Sequence, residues 1–226
     1  MSKAKLIVIE GQNCVGKETQ TKLLEKRLIE EGFNVRRISF PDYDKPHSTL
    51  AKMYLNGEFG DNQDVDPKIA STFYAVDRYA SYKTDWESFA NTSGNIIIFD
   101  RYTTSNALFQ STKYQGVEKD NFLEWVFDLE YGLYNLPKPH IVFYLNIPTE
   151  KVFELIENRQ NKITKEAKKD IHESDREYLI NSSLNANYLI KKYNWREVEC
   201  FKDNKLRSIQ EINNELMEEI KKIIVQ

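Results

Sequence analysis

The stretch that most constrains the fold is residues 9–20, which read IEGQNCVGKETQ. Gly11 is followed by four residues and then by Gly16 and Lys17, which is the spacing of a phosphate-binding loop. Glycines allow consecutive backbone N–H groups to turn inward around an anion, and the start of a helix adds the positive end of its dipole. The pattern therefore predicts a chain that begins with a strand, a phosphate loop and a helix.

The flanking residues fit this prediction. The run KLIVIE before the loop is apolar and rich in β-branched residues, which is typical of a strand buried on both faces of a parallel sheet. Residues 16–31 have a helical pattern of leucine and isoleucine, and Gly32 is expected to end that helix. Lys17 is then the mobile cation that reaches the terminal phosphates.

Strands and helices alternate along the rest of the chain. Four more strands are predicted at NVRRISF, NIIIFD, HIVFYLN and WREVEC, with helices near residues 47–56, 67–89, 104–112, 117–135, 149–160, 174–193 and 208–224. This alternation predicts an α/β fold, a P-loop three-layer sandwich with a five-stranded parallel sheet and helices on both faces. Residues 1–226 contain no linker-like segment, so we expect a single domain.

Composition limits the classes of partner. The formal net charge of −3 gives no reason to expect a nucleic acid or a membrane surface as partner. The apolar run near the N-terminus spans about five residues, too few for a signal peptide or a membrane span. Cys14 and Cys200 are the two cysteines, too few for a disulfide framework, so a reducing cytoplasm is expected.

Glu18 is the unusual part of the loop, because a Ser or Thr hydroxyl normally follows the lysine and binds Mg²⁺. A carboxylate can also hold Mg²⁺. The alternatives are that Glu18 turns to solvent while water binds the metal, or that phosphate binding is lost. The residues expected to contact ATP are Gly11, Asn13, Cys14, Val15, Gly16, Lys17, Glu18 and Thr19.

Two further segments are expected near the loop. Asp100 and Arg101 end the strand NIIIFD, and ligands of open parallel sheets bind beyond the carboxyl ends of the strands. Asp100 can hold Mg²⁺ or act as a base, and Arg101 can grip a phosphate with two N–H groups. Tyr74 and Arg78 lie one helical turn apart, suited to stacking on a base and donating to its carbonyl, although core packing and a role for Phe73 remain open.

A basic, charge-dense stretch covers residues 159–173, beginning with Arg159. Such runs are most often solvated surface. In a phosphate-transfer protein the same stretch suits a lid that excludes water and supplies cations to the transferring group, with Arg159 as the candidate catalytic member.

Five segments together resemble the thymidylate kinase family of P-loop nucleoside monophosphate kinases. They are IVIEGQNCVGKETQTKLL, SFPDYD, FYAVDRYA, FDRYTTSNALFQ and DIHESDREYL, and they cover most of the chain. The resemblance implies phosphorylation of dTMP from ATP with Mg²⁺, small-molecule nucleotide partners and a homodimer. It also implies a basic lid that compensates for Cys14, which stands where some members carry an arginine.

The resemblance also implies roles for individual residues. Tyr74 matches the ring that stacks on thymine, and Arg78 matches the arginine that contacts a base carbonyl. Arg101 matches the clamp on the monophosphate, with Asp100 as its acidic neighbour near the metal. The other matches are Asn106, at the base edge, and Phe109, under the deoxyribose.

Two departures concern the acceptor nucleotide. Asn13 stands where the family usually has an aspartate, and Tyr43 occupies a position where arginine is common. These changes keep open a kinase for a different nucleoside or deoxynucleotide. Glu18 keeps open a catalytically impaired nucleotide-binding protein.

Overall fold

The computed structural model of the chain describes residues 3–157 and 175–224. Its centre is a five-stranded sheet in the order β2-β3-β1-β4-β5, and every neighbouring pair is parallel. The strands are β1 (Lys5–Gly11), β2 (Asn34–Ser39), β3 (Asn95–Asp100), β4 (Ile141–Asn146) and β5 (Arg196–Glu199). The predicted five-stranded parallel sheet is therefore confirmed.

Helices connect the strands and cover the sheet. They are α1 (Lys17–Glu30), α2 (Thr49–Leu55), α3 (Pro67–Ser81), α4 (Glu87–Ala90), α5 (Thr103–Phe109), α6 (Gly116–Phe127), α7 (Thr149–Glu157), α8 (Arg176–Tyr193) and α9 (Ile209–Ile224). Short 3₁₀ segments occur at Pro46–Ser48 and Gln110–Lys113, and π-helical segments at Tyr82–Trp86 and Asp128–Leu133. The two π segments continue α3 and α6, which explains why each of these regions reads as one long helix in the sequence.

The sheet separates two apolar cores. Ile97 and Phe99 of β3 pack into one core together with Trp86, while Ile96 and Ile98 pack into the other. All six residues of β3 are buried. This two-sided burial explains the uninterrupted apolar run in the sequence, since alternate residues of a strand face opposite sides of the sheet.

One small element was not predicted from the sequence, an antiparallel hairpin of β6 (Phe201–Lys202) and β7 (Lys205–Leu206). Its turn contains Asp203 and Asn204, both with positive φ. Asp and Asn favour such turns, but two-residue strands are too short to leave a hydrophobic pattern. None of the helices in the described parts of the chain is long and apolar enough to span a lipid bilayer.

Strand register brings the predicted site residues to one edge of the sheet. Ile9 of β1 lies opposite Asp100 of β3, and Ser39 of β2 lies on the other side of Asp100. Gly11 at the end of β1 lies opposite Leu145 of β4. The segments that follow these strands therefore leave the sheet side by side.

Candidate active site

The loop between β1 and α1 has the backbone of an anion-binding turn. Gly11, Cys14 and Gly16 all have positive φ, at 149°, 64° and 90°. There is also no room for a side chain at Gly11, because an added Cβ would lie 2.8 Å from Val15 Cγ2 and 2.9 Å from the backbone oxygen of Leu145. Glycine is needed here both for its backbone conformation and for close packing against β4.

We expect Gly11→Ala to destabilise the protein by about 3 kcal/mol, through backbone strain and the clash with β4, and to lower Tm by about 10 °C. Gly94→Ala is the matched control, since Gly94 also has positive φ, at 83°, but an added Cβ there meets no atom within 4 Å. Thermal unfolding followed by circular dichroism measures both variants. Equal losses for the two would show that packing against β4 is not what requires Gly11.

Lys17 begins α1 and folds back over the loop. Its Nζ donates to the backbone oxygen of Gln12 at 2.5 Å, and the residue is only 7% exposed. Gly16 occupies the N-cap, and no side chain within the described residues forms a capping hydrogen bond at this helix start. The loop therefore directs a cation and the N-terminus of a 14-residue helix at one point, which is the arrangement that binds phosphate.

Arg101, the residue after β3, joins the loop to a neighbouring pocket. Its Nη1 donates to the backbone oxygen of Gly11 at 3.2 Å, and its Nη2 donates to Oδ1 of Asn13 at 2.6 Å. The guanidinium carbon lies 4.9 Å from the centre of the Phe109 ring. A fork held by the loop on one side and by an aromatic ring on the other is oriented to bind a phosphate with two N–H groups.

Glu10 is a functional candidate that the sequence analysis missed. Its carboxylate is fully buried and accepts hydrogen bonds from Thr104 Oγ1 at 2.6 Å and from Ser105 Oγ at 2.9 Å. The backbone N–H of Tyr102 also donates to it, and Arg101 Nη1 lies 3.8 Å from its Oε2. Burial raises the pKa of Glu10, while Arg101 and the two hydroxyls oppose that rise. Glu10 thus ties the end of β1 to the start of α5 beneath the phosphate loop.

The two predicted metal ligands lie in different surroundings. Asp100 is 5% exposed at the carboxyl end of β3, between β1 and β2. The side chain of Glu18 is 43% exposed and forms an ion pair with Lys22 at 2.8 Å, one turn along α1. The geometry of Glu18 matches the solvent-facing alternative, whereas Asp100 lies where the phosphate loop and Arg101 meet.

A pocket opens beside Arg101, next to the phosphate loop. Most of the predicted acceptor residues line it: Asn13, Tyr43, Tyr74, Arg78, Arg101, Asn106 and Phe109. Residues not singled out from the sequence also line it, namely Phe40, Pro41, Leu55, Ser105, Gln110 and Leu179.

Phe73 differs from the other predicted acceptor residues, because it is not part of the pocket wall. Its ring packs 5.3 Å from the ring of Phe59 and 6.1 Å from that of Tyr54, in a small core under α2 and α3. Tyr74 does line the pocket and contacts Tyr54 edge to face. Of the two neighbouring rings, Tyr74 is therefore the one available to stack on a base.

Arg78 is buried and paired with Glu130, a second residue that the sequence analysis missed. Its Nε and Nη2 donate to the two carboxylate oxygens of Glu130 at 2.5 and 2.6 Å. Burial opposes the charged form of Arg78, but Glu130 and Asp77 outweigh it and raise the pKa of the guanidinium. The arginine stays charged in an apolar wall because its counter-ion is buried with it.

The lid prediction cannot be followed in this structure. Residues 159–173, including Arg159, lie outside the described residues.

A phosphate loop joined by an arginine fork to an adjacent pocket with an aromatic and polar wall defines a P-loop phosphotransferase site. Comparison with known proteins narrows the class. The family model of thymidylate kinase matches residues 9–204. A thymidylate kinase of Plasmodium falciparum is 26% identical over 234 residues, covering 99% of this chain and 93% of that protein. One of Dictyostelium discoideum is 26% identical over 209 residues, covering 90% of this chain and 87% of that protein.

A solved structure of thymidylate kinase from Candida albicans has the same fold. It superposes with a TM-score of 0.70 at 20% identity, covering 98% of this chain and 93% of that one. The chain belongs to the thymidylate kinase family and is a nucleoside monophosphate kinase.

Proposed function

We propose that this protein transfers the γ-phosphoryl group of ATP to dTMP, giving ADP and dTDP. Family membership supports the reaction class. The position of Arg101 supports the proposal most directly. Its guanidinium contacts the phosphate loop at Gly11 and Asn13 and also lines the adjacent pocket. A donor phosphate on the loop and an acceptor phosphate in the pocket would then share one cation.

The residues act by position and charge. Lys17 and the amides at the start of α1 bind the phosphates of ATP, and Arg101 holds the phosphate of the acceptor. An oxygen of that phosphate attacks the γ-phosphoryl group in line, so no covalent enzyme intermediate is required. Tyr74 stacks on the base, Phe109 lies under the sugar, and Tyr43 forms part of the same wall.

The site fits Mg²⁺ bound mainly through phosphates and water. Within residues 3–157 and 175–224, no group of three or more His, Cys, Asp or Glu side chains forms a metal cage. Mg²⁺ commonly binds through one or two carboxylates together with substrate phosphates, and Asp100 at the strand end is the carboxylate we propose. Held by Asp100, Mg²⁺ would supply positive charge to the phosphates of ATP during transfer. Glu18 is the other carboxylate predicted as a ligand, and its ion pair with Lys22 directs it away from that role.

We expect Glu18→Ala to leave the Mg²⁺ concentration for half-maximal activity within about twofold of the wild-type value, because the carboxylate pairs with Lys22. Lys22→Ala is the control, since it breaks the same ion pair and leaves Glu18 free to move. A titration of activity against Mg²⁺ measures both. A requirement for about tenfold more Mg²⁺ in Glu18→Ala would mean that the carboxylate is a metal ligand after all.

A kinase for another nucleotide is the second candidate. It is favoured by Asn13, whose amide oxygen accepts from Arg101 where the family usually has a carboxylate, and by Tyr43 in the pocket wall. A coupled assay of ADP release across dTMP, dUMP, dCMP, dGMP and dAMP separates the candidates. Turnover with dTMP above all others supports the proposal, and turnover with another acceptor supports the second candidate. Nucleotide binding without turnover would point to an impaired binding protein.

Four expectations accompany the proposal. Residues 1–226 form one kinase domain, Arg159 acts from a lid over residues 159–173, and the protein works in the cytoplasm. The fourth is a homodimer, which is supported by an apolar stripe on α3 formed by Ile69, Val76 and Tyr79, 52%, 42% and 40% exposed.

A further inference from the structure

Glu130 is a buried carboxylate for which the family resemblance supplies no role. It lies in the π-helical segment Asp128–Leu133 after α6 and is 0% exposed. Its oxygens accept from Arg78 Nε and Nη2, from Thr103 Oγ1 at 2.8 Å and from Asn106 Nδ2 at 3.0 Å. A buried charge needs partners of this kind, and here two of the three partner residues line the acceptor pocket.

These contacts determine which way the amide of Asn106 points. Its Nδ2 donates to Glu130 Oε1 and also to the backbone oxygen of Ser71 at 3.1 Å. Both partners can only accept, so the NH₂ group, and not the oxygen, must face them. Oδ1 of Asn106 forms no hydrogen bond within the described part of the chain, which leaves an acceptor for the pocket.

The same carboxylate determines which N–H groups of Arg78 are left for a ligand. Nε and Nη2 of Arg78 both donate to Glu130. The third guanidinium nitrogen, Nη1, has no hydrogen-bond partner among residues 3–157 and 175–224. Since Nη1 can only donate, Arg78 contributes a charged donor to the pocket that it lines.

The pocket wall therefore combines one donor, from Arg78, with one acceptor, from Asn106. Thymine presents a carbonyl oxygen at C4 and an N–H at N3, which complement this pair. Cytosine presents an amino group at C4 and an unprotonated nitrogen at N3. Its donor would therefore face the donor of Arg78, and its acceptor would face the acceptor of Asn106. A cytosine in the same pose would leave buried polar groups unpaired, and such mismatches are rejected strongly.

We infer that Glu130 is a positioning residue that sets the choice of thymine over cytosine, by orienting the amide of Asn106 and occupying two nitrogens of Arg78. The inference rests on the proposed function for the identity of the acceptor base. Only a carboxylate suits this position, because all four of its bonds come from donors. A glutamine would present an NH₂ group to at least one of them, so that either Asn106 or Arg78 would lose its acceptor and the wall would lose its fixed orientation.

The test is the ratio of binding constants for dTMP and dCMP, measured by calorimetry on the full chain, with turnover of both nucleotides measured alongside. The wild type is expected to prefer dTMP by tenfold or more. In Glu130→Gln this preference falls at least tenfold, through weaker dTMP binding, with KM for dTMP rising more than kcat falls. Glu130→Asp is expected to lower the preference for dTMP over dCMP in the same way, because its shorter side chain cannot reach both Arg78 and Asn106. It replaces Glu130→Gln in the test if the glutamine variant does not fold.

Thr103→Val is the matched control. It removes one buried hydrogen bond from the same carboxylate but leaves the bonds to Arg78 and Asn106 in place. We expect a lower Tm with an unchanged dTMP-to-dCMP ratio. A wild-type ratio in the Glu130 variants, or an equal loss of ratio in Thr103→Val, would overturn the inference.

The proposed function can fail separately from this inference. If the wild type discriminated between the two bases as expected but transferred no phosphoryl group to dTMP, the proposed function would be wrong. The assignment of Glu130 would still hold.

Discussion

Lys17→Ala is expected to lower kcat for phosphoryl transfer by about 10²- to 10³-fold, the usual cost of removing one well-oriented group that stabilises transition-state charge. Lys17 is buried to 7% exposure and held over the loop by its bond to Gln12. Alanine keeps the helix start and removes only the cation. Steady-state ADP release at saturating dTMP measures the loss.

Lys22→Ala is the control for that variant. It removes a lysine from the same helix, but one whose side chain is 57% exposed and paired with Glu18. Its kcat should remain within about twofold of the wild type, since exposed ion pairs contribute little. If Lys17→Ala retained wild-type activity, this loop would not be where the donor phosphates bind.

Arg101→Met is expected to lower kcat/KM for dTMP by about 10³-fold, since it removes a fork that binds the acceptor phosphate and a cation that stabilises transferring charge. Methionine fills similar space against Phe109 but cannot donate to Gly11 or Asn13. Arg101→Lys keeps the charge without the two-pronged geometry, so an intermediate loss of about tenfold is expected. Kinetics with dTMP varied at fixed ATP give these values.

The comparison variant for Arg101 is Arg36→Met. Arg36 forms an exposed ion pair with Asp85 on the edge strand β2 and is absent from the pocket wall, so its removal should leave kcat/KM unchanged within about twofold. Should Arg101→Met raise KM for ATP while leaving kcat/KM for dTMP intact, Arg101 would belong to the donor side and the proposed acceptor pocket would lose its phosphate clamp.

Much of the fold could be predicted from the sequence because its signals are local. The apolar runs of β1 and β3 reflect burial on both faces of the sheet, and the glycine spacing reflects the positive φ values of Gly11 and Gly16. Once a parallel sheet is predicted, residues at the carboxyl ends of its strands must lie together. For this reason the sequence alone predicts that Lys17 and Arg101 lie in the same site.

The parts that could not be predicted depend on contacts between distant segments. Glu130 meets Arg78 across 52 positions of sequence, and Glu10 meets Thr104 across 94. A single glutamate in a helical pattern reads as surface, although Glu10 at the end of an apolar run was a signal that could have been used. Glu18 and Lys22, by contrast, are four residues apart on one helix, so their ion pair was open to prediction.

The site at the carboxyl edge of this sheet is proposed to transfer a phosphoryl group from ATP to dTMP. The most direct measurement incubates the purified chain with Mg²⁺, dTMP and ATP labelled with ³²P at the γ-phosphate, and separates the products by chromatography. The label is expected to appear in dTDP, in amounts equal to the ADP formed. Label that stays in ATP, or that is released only as inorganic phosphate, would contradict it.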